Sequence, residues 1–356
     1  MPSRRGFLAT LLASATLPGL GWAEAGSPAF LACAGTPEGA YSLHGLRPDG
    51  SEAFRLPLPA RGHAGAGHPT EALAVAFARR PGAYALVLDC ARGAVRHRLA
   101  PPAGRHLNGH GAFLAGGAVL ATSEQDAATS GGFVGLWDAE AGFRRMGEVA
   151  TGGLGPHDLR LLPDGRLLVA NGGIATDPTD RTKLNLDTMR PSLAALDPLG
   201  DGVAEVAELD PALHRLSIRH LAVRPDGTAA FAMQWEGDPS EVVPLLGVRA
   251  PSGALALAEA PDAEARLMDG YAGSVAWSGD GTEAAITSPK GGRAQRFDAA
   301  GRFLGSFARA EVCGVAPLGR GFLLSDGLGG LVALDGGAAS PLARAAVAWD
   351  NHVVAL

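Results

Sequence analysis

Leu159-Arg-Leu-Leu-Pro-Asp-Gly-Arg-Leu-Leu-Val169 is a pair of short apolar runs hinged on Pro163-Asp164-Gly165. Proline presets φ early in a turn, aspartate bonds its own backbone, and glycine takes the positive φ that closes it. The stretch therefore reads as two antiparallel strands. Leu221-Ala-Val-Arg-Pro-Asp-Gly-Thr-Ala-Ala-Phe231 and Val275-Ala-Trp-Ser-Gly-Asp-Gly-Thr-Glu-Ala-Ala-Ile286 repeat the form. A second element, a short alternating strand ending in a polar turn, recurs at 41–50, 84–93, 133–142, 192–197, 245–253, 294–301 and 331–336. The first element precedes most copies of the second, giving four antiparallel strands per unit at a period of roughly 40 to 60 residues, the signature of a β-propeller.

The two ends of the chain complete the count. Ala29-Phe-Leu-Ala-Cys33 is a second-strand copy, whereas Trp349-Asp-Asn-His-Val-Val-Ala-Leu356 is a first-strand copy without a partner. The C-terminal strand is expected to complete the N-terminal blade, hiding two sheet edges. Six whole blades and one composite make an all-β, seven-bladed β-propeller over 26–356. A length of 356 residues alone points to two domains, but propellers run this long as one, and the sequence has no linker. No long 3.6-residue periodicity appears beyond the first residues, which supports the all-β reading.

Ser3-Arg4-Arg5-Gly6-Phe7-Leu8, an apolar run to Leu20 and Ala23-Glu24-Ala25 read as a twin-arginine signal over 1–25, cleaved near Ala25. The apolar run is short and broken by Pro18 and Gly19, so the expectation is a periplasmic protein without membrane insertion after cleavage. A formal charge of -6 without a basic stripe argues against nucleic acid as a partner. Cys33, Cys90 and Cys313 are an odd number with no CxxC pair, which excludes a disulfide framework and leaves room for one bridge.

In a propeller the first strands line the central channel, and their starts meet the ends of the second strands on one face. First-strand starts carry His63, His110, His157-Asp158, Arg219-His220, Ser274, Cys313 and Asp350-Asn351-His352. Second-strand ends carry Glu124, Asp126, Asn171, Gln234-Trp235-Glu236, Ser288 and Lys290. The opposite ends hold plain Pro-Asp-Gly turns. Polar groups are costly to bury unless paired or bound, and neutral imidazole is a common ligand of iron, copper and zinc. The candidate metal ligands are therefore His110, Glu124, His157, Asp158, His220 and His352, with iron or copper as the candidate ion. The bland alternative has these histidines bonded to strand carbonyls or aspartates between blades.

The longest irregular stretch follows Asn171-Gly-Gly173 and runs to Pro191, between the second and third strands of the third blade. It is expected to lie over the channel mouth. Lys183, Asn185 and Arg190 on it offer donors to an anion or to the site below; Asn171, Lys183, Asn185, Arg219 and Gln234 are the candidate cofactor-binding residues. There is no Gly-x-Ser-x-Gly elbow, phosphate-binding glycine loop or CxxCH. Trp137-Asp138 is similar to the dipeptide that ends third strands in WD repeats, a WD40-like trait occurring once.

His110-Gly-Ala-Phe113, Thr122-Ser-Glu-Gln-Asp126, Gly155-Pro-His-Asp-Leu159, Asn171-Gly-Gly-Ile174, Lys183-Leu-Asn-Leu-Asp-Thr-Met-Arg-Pro-Ser-Leu193, Leu216-Ser-Ile-Arg-His-Leu221 and Trp349-Asp-Asn-His352 follow in order. With them the chain resembles the bacterial periplasmic family of domain of unknown function 1513, over essentially all of 26–356. The resemblance implies a propeller, export, and gene neighbourhood with imelysin-like and dihaem peroxidase-like proteins linked to iron acquisition, which are the expected partners. Where that family often has Glu after Pro-His, this chain has Asp158, so a carboxylate is kept. The leading expectation is a periplasmic propeller that binds a metal ion, iron favoured, or a metal-carrying partner at the rim, accessory to iron acquisition. The rivals are a metal-dependent hydrolase, lactonase or oxidoreductase at the same rim, and an interaction scaffold without ligand. Fold analogy alone supports the enzyme.

Overall fold

The computed structural model describes residues 20–79, 84–200 and 202–356. Seven four-stranded antiparallel sheets stand around a channel. Numbering blades from His63, the inner strands are Gly62–Gly67, Arg105–Leu114, Pro156–Leu161, Leu216–Val223, Ser274–Trp277 and Val312–Leu318 for blades 1 to 6. Blade 7 is the composite. Its inner strand, Ala348–Ala355, pairs with Phe30–Gly35 in the register Phe30 to Ala355 and Leu31 to Val354, closing the ring as expected. Trp137-Asp138 ends the third strand of blade 2, and residues 172–191 connect the second and third strands of blade 3.

The second and third strands carry the core because they are covered on both sheet faces. Leu167–Asn171 and Ala85–Asp89 are buried along their whole length, so these runs read as continuously apolar rather than alternating. Outer strands such as Ala94–Leu99 are largely exposed, with only Leu99 buried. Phe77, Phe231, Phe297 and Phe322 are shielded from water and fill the wedges between blades. The three cysteines are buried and free, so the one bridge the count allowed is not formed.

Residues 1–19 of the expected signal lie outside the described residues. The segment just after them packs on blade 1. Leu20 accepts a 2.6 Å hydrogen bond from the Ala72 amide, Trp22 Nε1 donates to the His68 carbonyl at 2.9 Å, and Ala25 is buried. Among the described residues no helix is long and apolar enough to cross a membrane.

Candidate metal centre

Six of the seven inner strands break register at the same end. His63-Ala64 lie opposite Phe77 alone, Asn108-Gly109-His110 opposite Ser123, and His157-Asp158 opposite Ala170. Arg219 is an extra residue before His220, Cys313-Gly314 oppose Ser325, and Asp350-Asn351-His352 oppose Cys33. A β-bulge bends its strand and re-aims side chains. Here five bulges, on consecutive blades 7, 1, 2, 3 and 4, aim a histidine into the channel. Blade 5, with Ser274, pairs without a bulge. Blade 6 places Cys313 at the bulge, with its thiol against the carbonyls of Trp349 and Asp350.

The five imidazoles form a closed ring. Centroid distances are 4.6 Å for His352–His63, 5.0 Å for His63–His110, 4.7 Å for His110–His157, 4.8 Å for His157–His220 and 4.6 Å for His220–His352. All five are buried. In the triads His63-His110-His352 and His110-His157-His220, one nitrogen from each residue lies within 4.8 Å of the others, and His110 belongs to both. Gly109 makes this crowding feasible: its φ of +92° suits glycine, and a Cβ there would stand 2.7 Å from His63 Cδ2.

Carboxylates sit behind two of the rings. Asp158 Oδ1 is 3.3 Å from His110 Nδ1, and Asp350 Oδ1 is 3.4 Å from His63 Nδ1. A carboxylate so placed favours the imidazole proton on Nδ1 and leaves Nε2 as the acceptor, a pairing common behind metal-ligating histidines. Burial alone would push both carboxyls up. For Asp158, the Arg160 guanidinium, His110 and the Leu221 amide reverse this; for Asp350, His63, Arg61 and Arg79 do so, and both carboxyls are held well below the usual range.

The imidazoles are driven the other way. Burial, opposed by Asp350, takes His63 down to about 4. His157, His220 and His352 lie well below the ordinary value, through burial first and then through neighbouring imidazoles and, for His157 and His220, Arg219. These four are neutral at pH 7. Four buried nitrogens, His110 Nε2, His157 Nδ1, His220 Nδ1 and His352 Nε2, have no hydrogen-bond partner among the described residues.

The remaining candidates divide into three groups. Asp158 stands behind His110, with its oxygens also accepting from the Leu159 and Leu221 amides, so its carboxylate is occupied within the fold. Glu124 is not in either triad; it is fully buried between the Thr122 hydroxyl at 2.6 Å and a two-pronged Arg145 at 2.8 and 2.9 Å. Arg145, on the outermost strand, turns it toward the blade. His63, on the rim but outside the expected ligand set, is a full member of the ring.

Asn171 is consumed by Ser192 on its own blade and by Thr151 on the outermost strand of blade 2. Asn185 ties the 172–191 loop to itself through the Ala175 amide and the Gly173 carbonyl. Ile174 and Met189 anchor that loop in the core, and Arg190 reaches outward to Glu208 at 2.9 Å. By contrast Lys183, Arg219 and Gln234 line a cavity of about 250 Å³ together with Ile174, Thr176, His63, His157 and His220. Lys183 pairs there with Glu236. Tyr271, on the same wall and hydrogen-bonded to Asn351 at 3.3 Å, carried no signal in the repeat.

The model of the family described as Protein of unknown function (DUF1513) matches residues 56–356. The chain belongs to this family. Comparison with curated protein sequences gives no match. Among solved structures, Kuenenia stuttgartiensis hydrazine synthase superposes with a TM-score of 0.58 at 13% identity, over 86% of this chain and 90% of that one. A chain of the mitotic checkpoint complex gives 0.55 at 12% identity, over 78% and 75%. The β-propeller domain of Myceliophteria thermophila Cps50 (Swd1) gives 0.54 at 16%, over 76% and 79%. At these identities the likeness is one of fold.

Proposed function

We propose that this DUF1513 propeller binds one first-row transition-metal ion in its five-histidine ring. The observation that carries the reading is the pair of buried histidine triads that share His110, with four buried imidazole nitrogens that have no hydrogen-bond partner among the described residues. Each would cost about 1 to 3 kcal/mol if left without a partner, and a bound ion would satisfy them together. The donor set is all imidazole with carboxylates behind it, which suits iron, copper or zinc and disfavours magnesium and calcium. Iron is the favoured ion on the family resemblance, and an accessory role in iron acquisition after twin-arginine export is the setting proposed. Imidazoles on one ion at about 2.1 Å would stand roughly 3 to 3.4 Å apart, so loading requires the rings to close inward from their present spacing.

A ligand-free scaffold is disfavoured because these nitrogens are not engaged by backbone carbonyls. The polar cavity over the ring favours a second reading, metal-assisted chemistry on a small molecule. Metal analysis of protein purified from the periplasm, beside His157→Ala/His220→Ala, tests the first reading. Near-stoichiometric metal in the native protein and its loss in the variant is expected. Equal and negligible metal in both would overturn it.

A further inference from the structure

Arg219 is the extra residue in the blade 4 bulge, next to His220, and its side chain points into the cavity above the ring. Its Nε is buried without a partner. Other shielded guanidiniums each meet a carboxylate: Arg249 meets Glu205 at 2.7 Å, Arg296 meets Glu283 at 2.8 Å, and Arg145 meets Glu124. Among the described residues Arg219 has no carboxylate within salt-bridge distance. Glu236, the acid on the cavity wall, is taken by Lys183, and Asp350 is shared by Arg61 and Arg79. Gly172 makes room for it, since a Cβ there would lie 2.9 Å from Arg219 Nη1.

We propose that the cavity binds a small oxyanion, carboxylate or phosphate, held by Arg219 beside His157 and His220. A guanidinium fork suits the paired oxygens of either group. The cavity's volume is below the range for drug-sized ligands, so the ligand is a small acid. The site deepens the metal reading, because an oxyanion on Arg219 faces the ring and would serve as the ion's exogenous ligand. Anion binding by the metal-free protein does not depend on that reading.

Isothermal titration of the full chain with inorganic phosphate and, separately, citrate distinguishes the two sources, each with metal-free and metal-loaded protein. Either anion is expected to bind metal-free protein, with affinity on the order of ten-fold or more weaker in Arg219→Gln. Arg219→Lys should recover part of the loss. Gly172→Ala is a second variant that displaces the guanidinium without deleting it, and it should weaken binding as well. Metal content of the same samples should be unchanged in Arg219→Gln, which separates failure of this site from failure of the histidine ring. Absence of binding by both anions, or equal binding by native protein and Arg219→Gln with native-like circular dichroism, would overturn the proposal.

Discussion

The two ends of the channel are built from the same strands and differ in almost every respect. On the inner strand of blade 7, Asp350, Asn351 and His352 crowd opposite one residue at one end, while Val353, Val354 and Ala355 pair regularly at the other. The regular end opens on a cavity lined largely by Val275, Trp277, Val315, Pro317 and Val353, with Pro225 and Asp226 of a plain turn at its edge. Regular pairing alternates side chains between sheet faces and cannot point five neighbouring blades at one centre; an inserted residue can. Backbone irregularity therefore distinguishes the end that gathers the histidines from the end that pairs regularly.

The sharpest break of this contrast is His110→Ala. His110 belongs to both triads, so stoichiometric metal should fall below detection by elemental analysis; retention would separate the triads from the site. Glu124→Ala, at the same end but turned into the blade, should cost on the order of 3 kcal/mol in denaturant unfolding by leaving Arg145 short of its buried partner. Its metal content should equal that of the native protein, and a parallel loss of metal would return Glu124 to the ligand set.

Acid should act on the histidine end before the carboxylates protonate. His63, His157, His220 and His352 are depressed in the folded state, so below about pH 6.5 the unfolded chain binds protons that the folded chain refuses. Metal-free stability is thus complete above that pH and declines toward pH 4, by about 1.4 kcal/mol per pH unit for each titrating histidine. Urea unfolding at pH 7.5 and 5.0 measures the slope, which should be shallower in His157→Ala/His220→Ala; identical slopes would mean the rings are not held neutral by burial.

Asp158→Asn should weaken metal binding about 10- to 100-fold while leaving the ring in place, as measured by competition with a chelator. The smallest effect belongs to the regular end. Val354→Ala should cost less than about 1.5 kcal/mol and leave metal affinity untouched, and a change in affinity would mean that the two ends are coupled.

Much of this was legible in the sequence. Pro-Asp-Gly hinges gave the blades, and the unpartnered strand 349–356 gave the closure, because both depend on local turn chemistry and strand alternation. Blade order then placed His110, His157, His220 and His352 on one face. Bulges were not legible, since an extra residue shows only against the partner strand's register, and His63 was therefore left out of the ligand set. The pairing of Glu124 is hidden for a related reason. The arginine that claims it lies 21 residues away on the outermost strand, a pairing that no local pattern announces. Asn171 joins its blade to the one before it and Asn185 ties its own loop, whereas Arg219 and Lys183 reach the cavity.

The central claim is that imidazoles from consecutive blades share one ion. Crystals of the metal-loaded protein, recorded at the absorption edge of the bound element, test it most directly. The account predicts one anomalous peak inside the ring, with His110 and at least two of its neighbours placing nitrogens within about 2.0 to 2.3 Å of it. Loaded crystals with no peak inside the ring, or with the ion held elsewhere on the surface, would contradict it.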